Sequence, residues 1–257
     1  MAFEAVLYDL TDGVAVITLN RPAVMNALSA QLRADLRAAL ALAQVQARVV
    51  VLTGAGRGFC SGQDLVGVDL DTVDLEAVLR EEYEPLLRAI VDCALPVIAA
   101  VNGAAVGAGA GLALACDVVI AAESASFAQS FTKIGLVPDA GGSYWLPRQV
   151  GMARAMGAML FAERVSARQA AEWGMIWEAV PDAGFAAHWR GRAEALARGP
   201  GLAYRGVKQA LRASFDNDLS GQLALEARLQ GDCGKSADFR EGVAAFLEKR
   251  VARFSGT

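Results

Sequence analysis

Asp139 stands in the run Val137-Pro138-Asp139-Ala140-Gly141-Gly142-Ser143, with no other acidic residue between Glu123 and Glu163. Two chemistries are open to it. Pro-Asp-Ala-Gly-Gly is turn sequence, because an Asp side chain caps its own backbone and glycine accepts positive φ. A solitary carboxyl in an apolar pocket is instead lifted above its ordinary pKa and becomes a strong base. Phe131 and Ile134 are candidate walls of such a pocket. Residue type alone favours the turn.

Two glycine-rich stretches could do a second kind of chemistry. One, GAGRGFCSGQD, follows the apolar run that ends at Leu52; the other, AAVGAGAGLALAC, follows Val101 and opens a helix. Glycines let main-chain N–H groups approach a ligand closely, and those at a helix start sit at the positive end of its dipole. Two N–H donors from two such turns can converge on one oxygen and form an oxyanion hole. Tight packing of helix against strand explains the same glycines equally well.

A rival pattern is present. TGAGRGFC approaches the TGxxxGxG turn of short-chain dehydrogenases, and Tyr204 and Lys208 in YRGVK match their YxxxK pair. Against it, Cys60 stands where the last glycine belongs, and about fifty residues precede a turn that should follow the first strand. Tyr204 also lies in a helical tail beyond Pro200.

These residues need elements to position them. FEAVLYDLTDGVAVITLN reads as two strands around Thr11-Asp12-Gly13, an Asp-Gly hairpin signal. Ser29 caps a helix with apolar residues at helical spacing. ARVVVLTG and LPVIAAVNG read as strands buried on both faces, DVVIAAES as a third and ASFAQS as a short fourth. An amphipathic helix covers LEAVLREEYEPLLRAIVDC. From Gly142 the pattern is helical almost to the end: VSARQAAEWGM is a capped helix stopped by Gly174, and three further helices follow Pro181, Pro200 and Ser236. Strand-strand-helix units recur loosely, with no exact repeat and no low-complexity linker.

Composition sets the outer bounds. The chain has 257 residues, 54% hydrophobic and 20% charged, so a sizeable core is expected in one large domain or a domain with a small appendage. A net charge of −4 argues against a nucleic-acid-coating surface. Four dispersed cysteines with one histidine argue against zinc and fit reduced thiols in a cytoplasmic enzyme. The N-terminus has no signal-peptide pattern. The apolar stretch Leu95 to Cys116 carries four glycines, Asn102 and a proline, which suits a buried strand-turn-helix better than a membrane span.

In order along the chain, ITLNRPAVMNALS, GRGFCSGQDL, LPVIAAVNGAAVGAGAGLALACDVVIA, FAQSFTKIGLVPDAGGSYWLPRQVG and FREGVAAFLEKR resemble the enoyl-CoA hydratase/isomerase family, and the set spans nearly the whole chain. The resemblance implies the α/β crotonase (ClpP/crotonase-like) fold, a ββα spiral. It places an acyl-CoA-binding core at 1–195 and a C-terminal helical trimerisation region at 196–257. It implies a homotrimer or dimer of trimers acting on acyl-CoA thioesters, with CoA as part of the substrate and no separate cofactor, metal, nucleic acid or membrane partner. The oxyanion amides would be those of Gln63 and Ala108. CoA and substrate contacts fall on Arg21, Val24, Ser61, Gly62, Asp64, Leu65, Gly109 and Phe131. Phe246 and Lys249 would hold the nucleotide end from a neighbouring subunit; on residue type alone Arg21 and Lys249 are also ordinary solvated side chains.

Hydratases of the family use two glutamates, and this chain departs from them at both places, with Gly111 and Phe131. Asp139 is what remains. FTKIGLVPDAGGS is similar to the isomerase branch, in particular the ring-epoxide isomerases of phenylacetyl-CoA breakdown, and this reverses the preference for a mere turn residue. The implied activity is a proton shift through a thioester enolate. The substrates would be 1,2-epoxyphenylacetyl-CoA, opened to the oxepin, and 3-enoyl-CoA, converted to 2-enoyl-CoA. An enoyl-CoA hydratase and a catalytically silent acyl-CoA-binding protein are the alternatives. Tyr83, Trp145 and Leu146 are candidate walls of an acyl or aromatic pocket, whose width would depend on the segment from Val66 to Tyr83. His188 reads as a surface or interface residue, Cys60 as packing, and Asp117 and Glu123 as caps or solvated side chains.

Overall fold

The computed structural model describes residues 3–66, 68–69 and 71–256. Strands β1 (Val6–Thr11) and β2 (Val14–Leu19) form the expected antiparallel hairpin. Asp12 and Gly13 both take positive φ, 50° and 79°, as a twist-matched two-residue turn requires. Helix α1 (Ala30–Gln46) starts at Ser29, whose hydroxyl accepts from the Leu32 N–H. Its inner stripe of Leu32, Leu36 and Leu40 is fully buried, and each such side chain contributes about 1.5–3 kcal/mol.

Three ββα-like units follow. The first is β3 (Val49–Gly54), β4 (Gly58–Cys60) and a long helix. That helix runs as α2 (Leu75–Val78), a π-helical turn (Leu79–Tyr83) and α3 (Glu84–Val91). The second is β5 (Val97–Val101), β6 (Ala104–Val106) and α4 (Ala108–Leu114). The third is β7 (Val118–Ala122), β8 (Ser126–Ala128), a 3-10 turn (Ser130–Ile134) and α5 (Gly142–Val150). The rest comprises α6 (Met152–Phe161), β9 (Val165–Ser166), α7 (Ala167–Glu172), β10 (Glu178–Val180), α8 (Phe185–Ala197), α9 (Gly201–Ala213), α10 (Leu219–Gly234) and α11 (Ala237–Glu248).

The units alternate between two sheets. A six-stranded sheet has the order β1-β2-β3-β5-β7-β10 and is parallel after the first pair; a four-stranded sheet has the order β4-β6-β8-β9. β3 and β5 lie inside and are apolar on both faces, which explains their uninterrupted Val, Leu, Ile and Ala runs.

Three readings of the sequence are corrected. Each glycine-rich stretch contains a short strand, β4 or β6, where only a loop or a tight turn was expected. The tail is not purely helical: β9 and β10 each find a partner strand, in β8 and β7, and two or three residues carry no periodicity to announce them. Helix α10 is an additional C-terminal helix; it starts without a proline, where Asp218 caps the Gly221 N–H.

Candidate active site

The two glycine turns leave the carboxyl ends of β4 and β6, not of β3 and β5. These short strands are parallel neighbours, with Gly58 opposite Ala104 and Cys60 opposite Ala105. The turns therefore emerge side by side, about one strand spacing apart. Gly62 has φ +93°, and a Cβ there would lie 2.8 Å from the Val106 carbonyl oxygen and 3.4 Å from the Ala108 nitrogen. Gly107, at φ +53°, turns the chain into α4 and makes Ala108 its first residue. A first-turn N–H has no intrahelical acceptor.

Gln63 is oriented by a single parallel bridge to Leu28. The Leu28 N–H donates to the Gly62 carbonyl at 2.8 Å and its carbonyl accepts from Asp64 at 3.4 Å. Both bonds use the peptide groups flanking Gln63, so its own N–H faces away from Leu28. Among the described residues, neither the Gln63 nor the Ala108 N–H donates to another main-chain group. Gly109 is buried against the Cys60 carbonyl, and the Phe131 ring lies over Gly107.

Asp139 is in a tight turn, but its carboxyl does not make that turn. The turn is closed by the Gly142 N–H on the Asp139 carbonyl at 2.8 Å, with Ala140 and Gly141 at φ 47° and 75°. The side-chain Oδ1 is buried and, among the described residues, has no hydrogen-bond partner. Burial alone pushes the carboxyl up to about 6. An unsatisfied buried acceptor costs about 1–3 kcal/mol, which a purely structural turn residue would avoid.

Asp139 faces a cleft of about 520 Å³ with walls from Leu79, Tyr83, Leu87, Tyr144 and Trp145. Two contacts tie this cleft to the amide turns, whose own residues do not line it. The Tyr83 hydroxyl donates to the Gln63 side-chain carbonyl. The Ala140 carbonyl presses on Gly111, in the same short helix as Ala108, where a Cβ would stand 2.4 Å away. The space a hydratase-type glutamate would need at 111 is filled by the Asp139 loop.

Arg21, Val24, Ser61 and Asp64, expected around CoA, are tied in pairs by hydrogen bonds beside the first turn. Arg21 donates to Asp64 at 2.6 Å and to the Ala27 carbonyl at 2.7 Å, and the Ser61 hydroxyl donates to the Val24 carbonyl at 3.2 Å. Burial pushes Asp64 up, but the Arg21 guanidinium and the Val66 N–H outweigh it and hold the carboxyl below its ordinary value. Leu65 beside them is half exposed. Phe246 on α11 and Lys249, which caps its end, are exposed and do not line the Asp139 cleft.

Several other expectations resolve. Ile134 is 57% exposed and Leu146 is buried in the core, so neither is a wall of the cleft, whereas Tyr83 and Trp145 are. Within the segment from Val66 to Tyr83, Gly67 and Leu70 lie outside the described residues. Lys208 is bound to Asp117 at 2.7 Å and to the Leu95 carbonyl, and Tyr204 packs on Gly199, so the YxxxK pair serves α9 and lies outside the Asp139 cleft. Asp117 also takes Arg212 and the Val97 N–H, and Glu123 pairs with Arg168. His188 bonds Glu178 at 2.8 Å. Cys60 is buried and its thiol is pushed up to about 12 by desolvation. Among the described residues no cluster of His, Cys, Asp or Glu is placed to hold a metal ion, and no helix is long and apolar enough to cross a membrane.

Among the described residues, sequence reasoning missed five that are buried and polar, including Asn26, Gln129 and Arg33. Asn26, fully buried at φ 56°, accepts from the Arg21 N–H and donates to the carbonyls of Ala55, Gly58 and Phe59. The Gln129 side chain is buried beside Gly142 and, among the described residues, has no hydrogen-bond partner. Arg33 is buried among Leu28, Gln63 and Glu82. The only available signal was a polar residue flanked by apolar ones.

A two-sheet spiral of ββα units with paired amide turns defines a class of CoA-thioester enzymes. The family model for enoyl-CoA hydratase/isomerase matches residues 9–257, and the chain belongs to that family. It is 64% identical over 256 residues to a Rhodobacter capsulatus protein named "Probable enoyl-CoA hydratase", covering 100% of both chains. It is 46% identical to the 1,2-epoxyphenylacetyl-CoA isomerase of Escherichia coli K12, covering 98% of this chain and 99% of that one. The crystal structure of an enoyl-CoA hydratase from Bacillus anthracis superimposes with a TM-score of 0.91 at 34% identity, covering 99% of this chain and 100% of that one.

Proposed function

We propose that the protein is an acyl-CoA isomerase in which Asp139 moves a proton through a thioester enolate. The buried, unpartnered Oδ1 of Asp139 carries this reading. With 3-enoyl-CoA, Asp139 takes a proton from C2. The C–H electron pair flows into the thioester carbonyl, whose oxygen becomes an enolate held by the Gln63 and Ala108 amides. Asp139 returns the proton to C4 as the double bond moves to C2–C3. Each amide of such a pair contributes about 3–4 kcal/mol to the transition state. The proton leaves and returns, so no separate cofactor is consumed.

The aromatic walls Tyr83, Tyr144 and Trp145 suit a ring-bearing acyl group. Together with the likeness to the E. coli isomerase this favours 1,2-epoxyphenylacetyl-CoA, rearranged to oxepin-CoA, beside 3-enoyl-CoA. The second reading is an enoyl-CoA hydratase, which the name of the R. capsulatus relative favours. It lacks an acid–base pair here, because Gly111 and Phe131 occupy the glutamate positions. A silent acyl-CoA binder is the third.

The assembly we propose is a homotrimer or dimer of trimers in the cytoplasm, built through the helices of 196–257. Phe246 and Leu247, 82% and 73% exposed, offer apolar surface for it, and Phe246 and Lys249 would then reach a neighbouring subunit's CoA. Arg21, Val24, Ser61, Asp64 and Leu65 hold the CoA within one chain. The experiment is conversion of 3-enoyl-CoA to the conjugated thioester, followed by absorbance. Asp139→Asn abolishes it if Asp139 is the base; hydration of 2-enoyl-CoA that survives this substitution supports the hydratase, and binding without turnover the silent protein.

A further inference from the structure

We propose that Arg33 is a positioning residue that aims the main-chain amide of Gln63 at the thioester oxygen. This rests on the isomerase reading of the site. Arg33 lies in the first turn of α1 and is 5% exposed. A buried guanidinium is costly unless every face is satisfied, and this one joins four segments. One Nη1 donates to the Leu28 carbonyl and, at 3.1 Å, to the Gln63 side-chain carbonyl. Nε and Nη2 close on one oxygen of Glu82 at 3.0 and 2.6 Å. The flat of the group lies 4.8 Å from the centre of the Tyr83 ring.

The consequence falls on one peptide group. Leu28 holds the two peptides flanking Gln63, and Arg33 holds Leu28. Gln63 is gripped a second time through its side chain, by Arg33 and by the Tyr83 hydroxyl. Glu82 and Tyr83 belong to the π-helical turn, an irregularity that recurs at functional sites. That turn carries the cleft wall opposite Asp139. One planar fork therefore fixes the donor amide relative to the wall that seats the acyl group. A lysine has a single point charge and could not hold all three directions.

The test is infrared spectroscopy of bound phenylacetyl-CoA labelled with 13C at the thioester carbonyl, alongside isomerase kinetics. In the native protein the C=O stretch falls below its value in buffer. In Arg33→Met most of that fall is lost, and kcat drops roughly 10–100-fold while KM changes by less than about threefold. Gln63→Met keeps the amide and leaves Arg33 paired with Glu82 and Leu28. It loses only the share of the fall that the side-chain grip supplies, and the double variant is no worse than Arg33→Met alone. Asp139→Asn keeps the shifted stretch, separating the base from the amide. A native-like stretch and kcat in both single variants would overturn the role of Arg33 while leaving the amide reading intact. No shift in the native protein would overturn both. Should Arg33→Met fail to fold, Arg33→Lys takes its place, because a lysine cannot hold all three directions: a native-like stretch and kcat in that variant refute the proposal.

Discussion

Replacing Asp139 by Asn should stop the reaction and stabilise the protein. Burial lifts the carboxyl from 3.8 to about 6, so the folded chain disfavours the charged form by about 3 kcal/mol before screening. The group is only partly buried, and solvent reduces this to about 1–2 kcal/mol. The sign follows from linkage: stability from the protonated carboxyl is fully present below 3.8 and is lost as pH rises through about 6. An isosteric uncharged amide escapes that loss. At pH 8 Asp139→Asn should melt a few degrees higher than the native chain, about 2–4 °C per kcal/mol for a chain of this size, and the advantage should vanish towards pH 4. Isomerase activity should fall about 10²–10⁴-fold. The native kcat/KM should decline tenfold per pH unit below 6, so that at pH 5 about a tenth of the plateau survives; an ordinary carboxyl would show almost no loss there. Differential scanning calorimetry and the absorbance assay read both effects. A lower melting temperature at pH 8 would mark Asp139 as a turn-stabilising carboxylate and refute the reasoning.

Three further outcomes follow from the geometry. Ala108→Pro removes one amide at the first position of α4, where proline suits a helix; circular dichroism should stay native while kcat falls about 10²–10³-fold. Gly111→Glu should not create a hydratase: the side chain collides with Ala140, so the melting temperature should drop with an overpacking cost of about 1–3 kcal/mol, and 2-enoyl-CoA should gain no hydration rate. Cys60, with its buried thiol pushed up to about 12, should stay unmodified when the native protein meets iodoacetamide at pH 8; mass spectrometry showing its alkylation would contradict its burial.

Much of the fold was legible because its signals are local. The Asp12-Gly13 hairpin, the Ser29 cap and the apolar runs of β3, β5 and β7 each follow from a few neighbouring residues. Strands of two or three residues were not legible. β4 and β6 hide among glycines and owe their conformation to each other, and β10 exists because β7 offers it an edge. Of the site, Asp139 and the two amide positions could be singled out from residue type and family likeness. Arg33 could not, since its partners lie at 28, 63 and 82 and only the folded chain brings them together.

Sequence by itself determined the set of parts: a lone carboxyl in a glycine turn, two glycine-rich stretches, and a glycine and a phenylalanine at the positions that family resemblance matches to the hydratase glutamates. Tertiary structure decided what those parts become. It left the carboxyl of Asp139 out of its own turn, because the Gly142 N–H already closes that turn through the main chain. It also set the two amide turns side by side, because β4 and β6 pair in parallel register. Pairing between strands, and burial without a partner, are relations between distant segments, and no local reading of residues contains them.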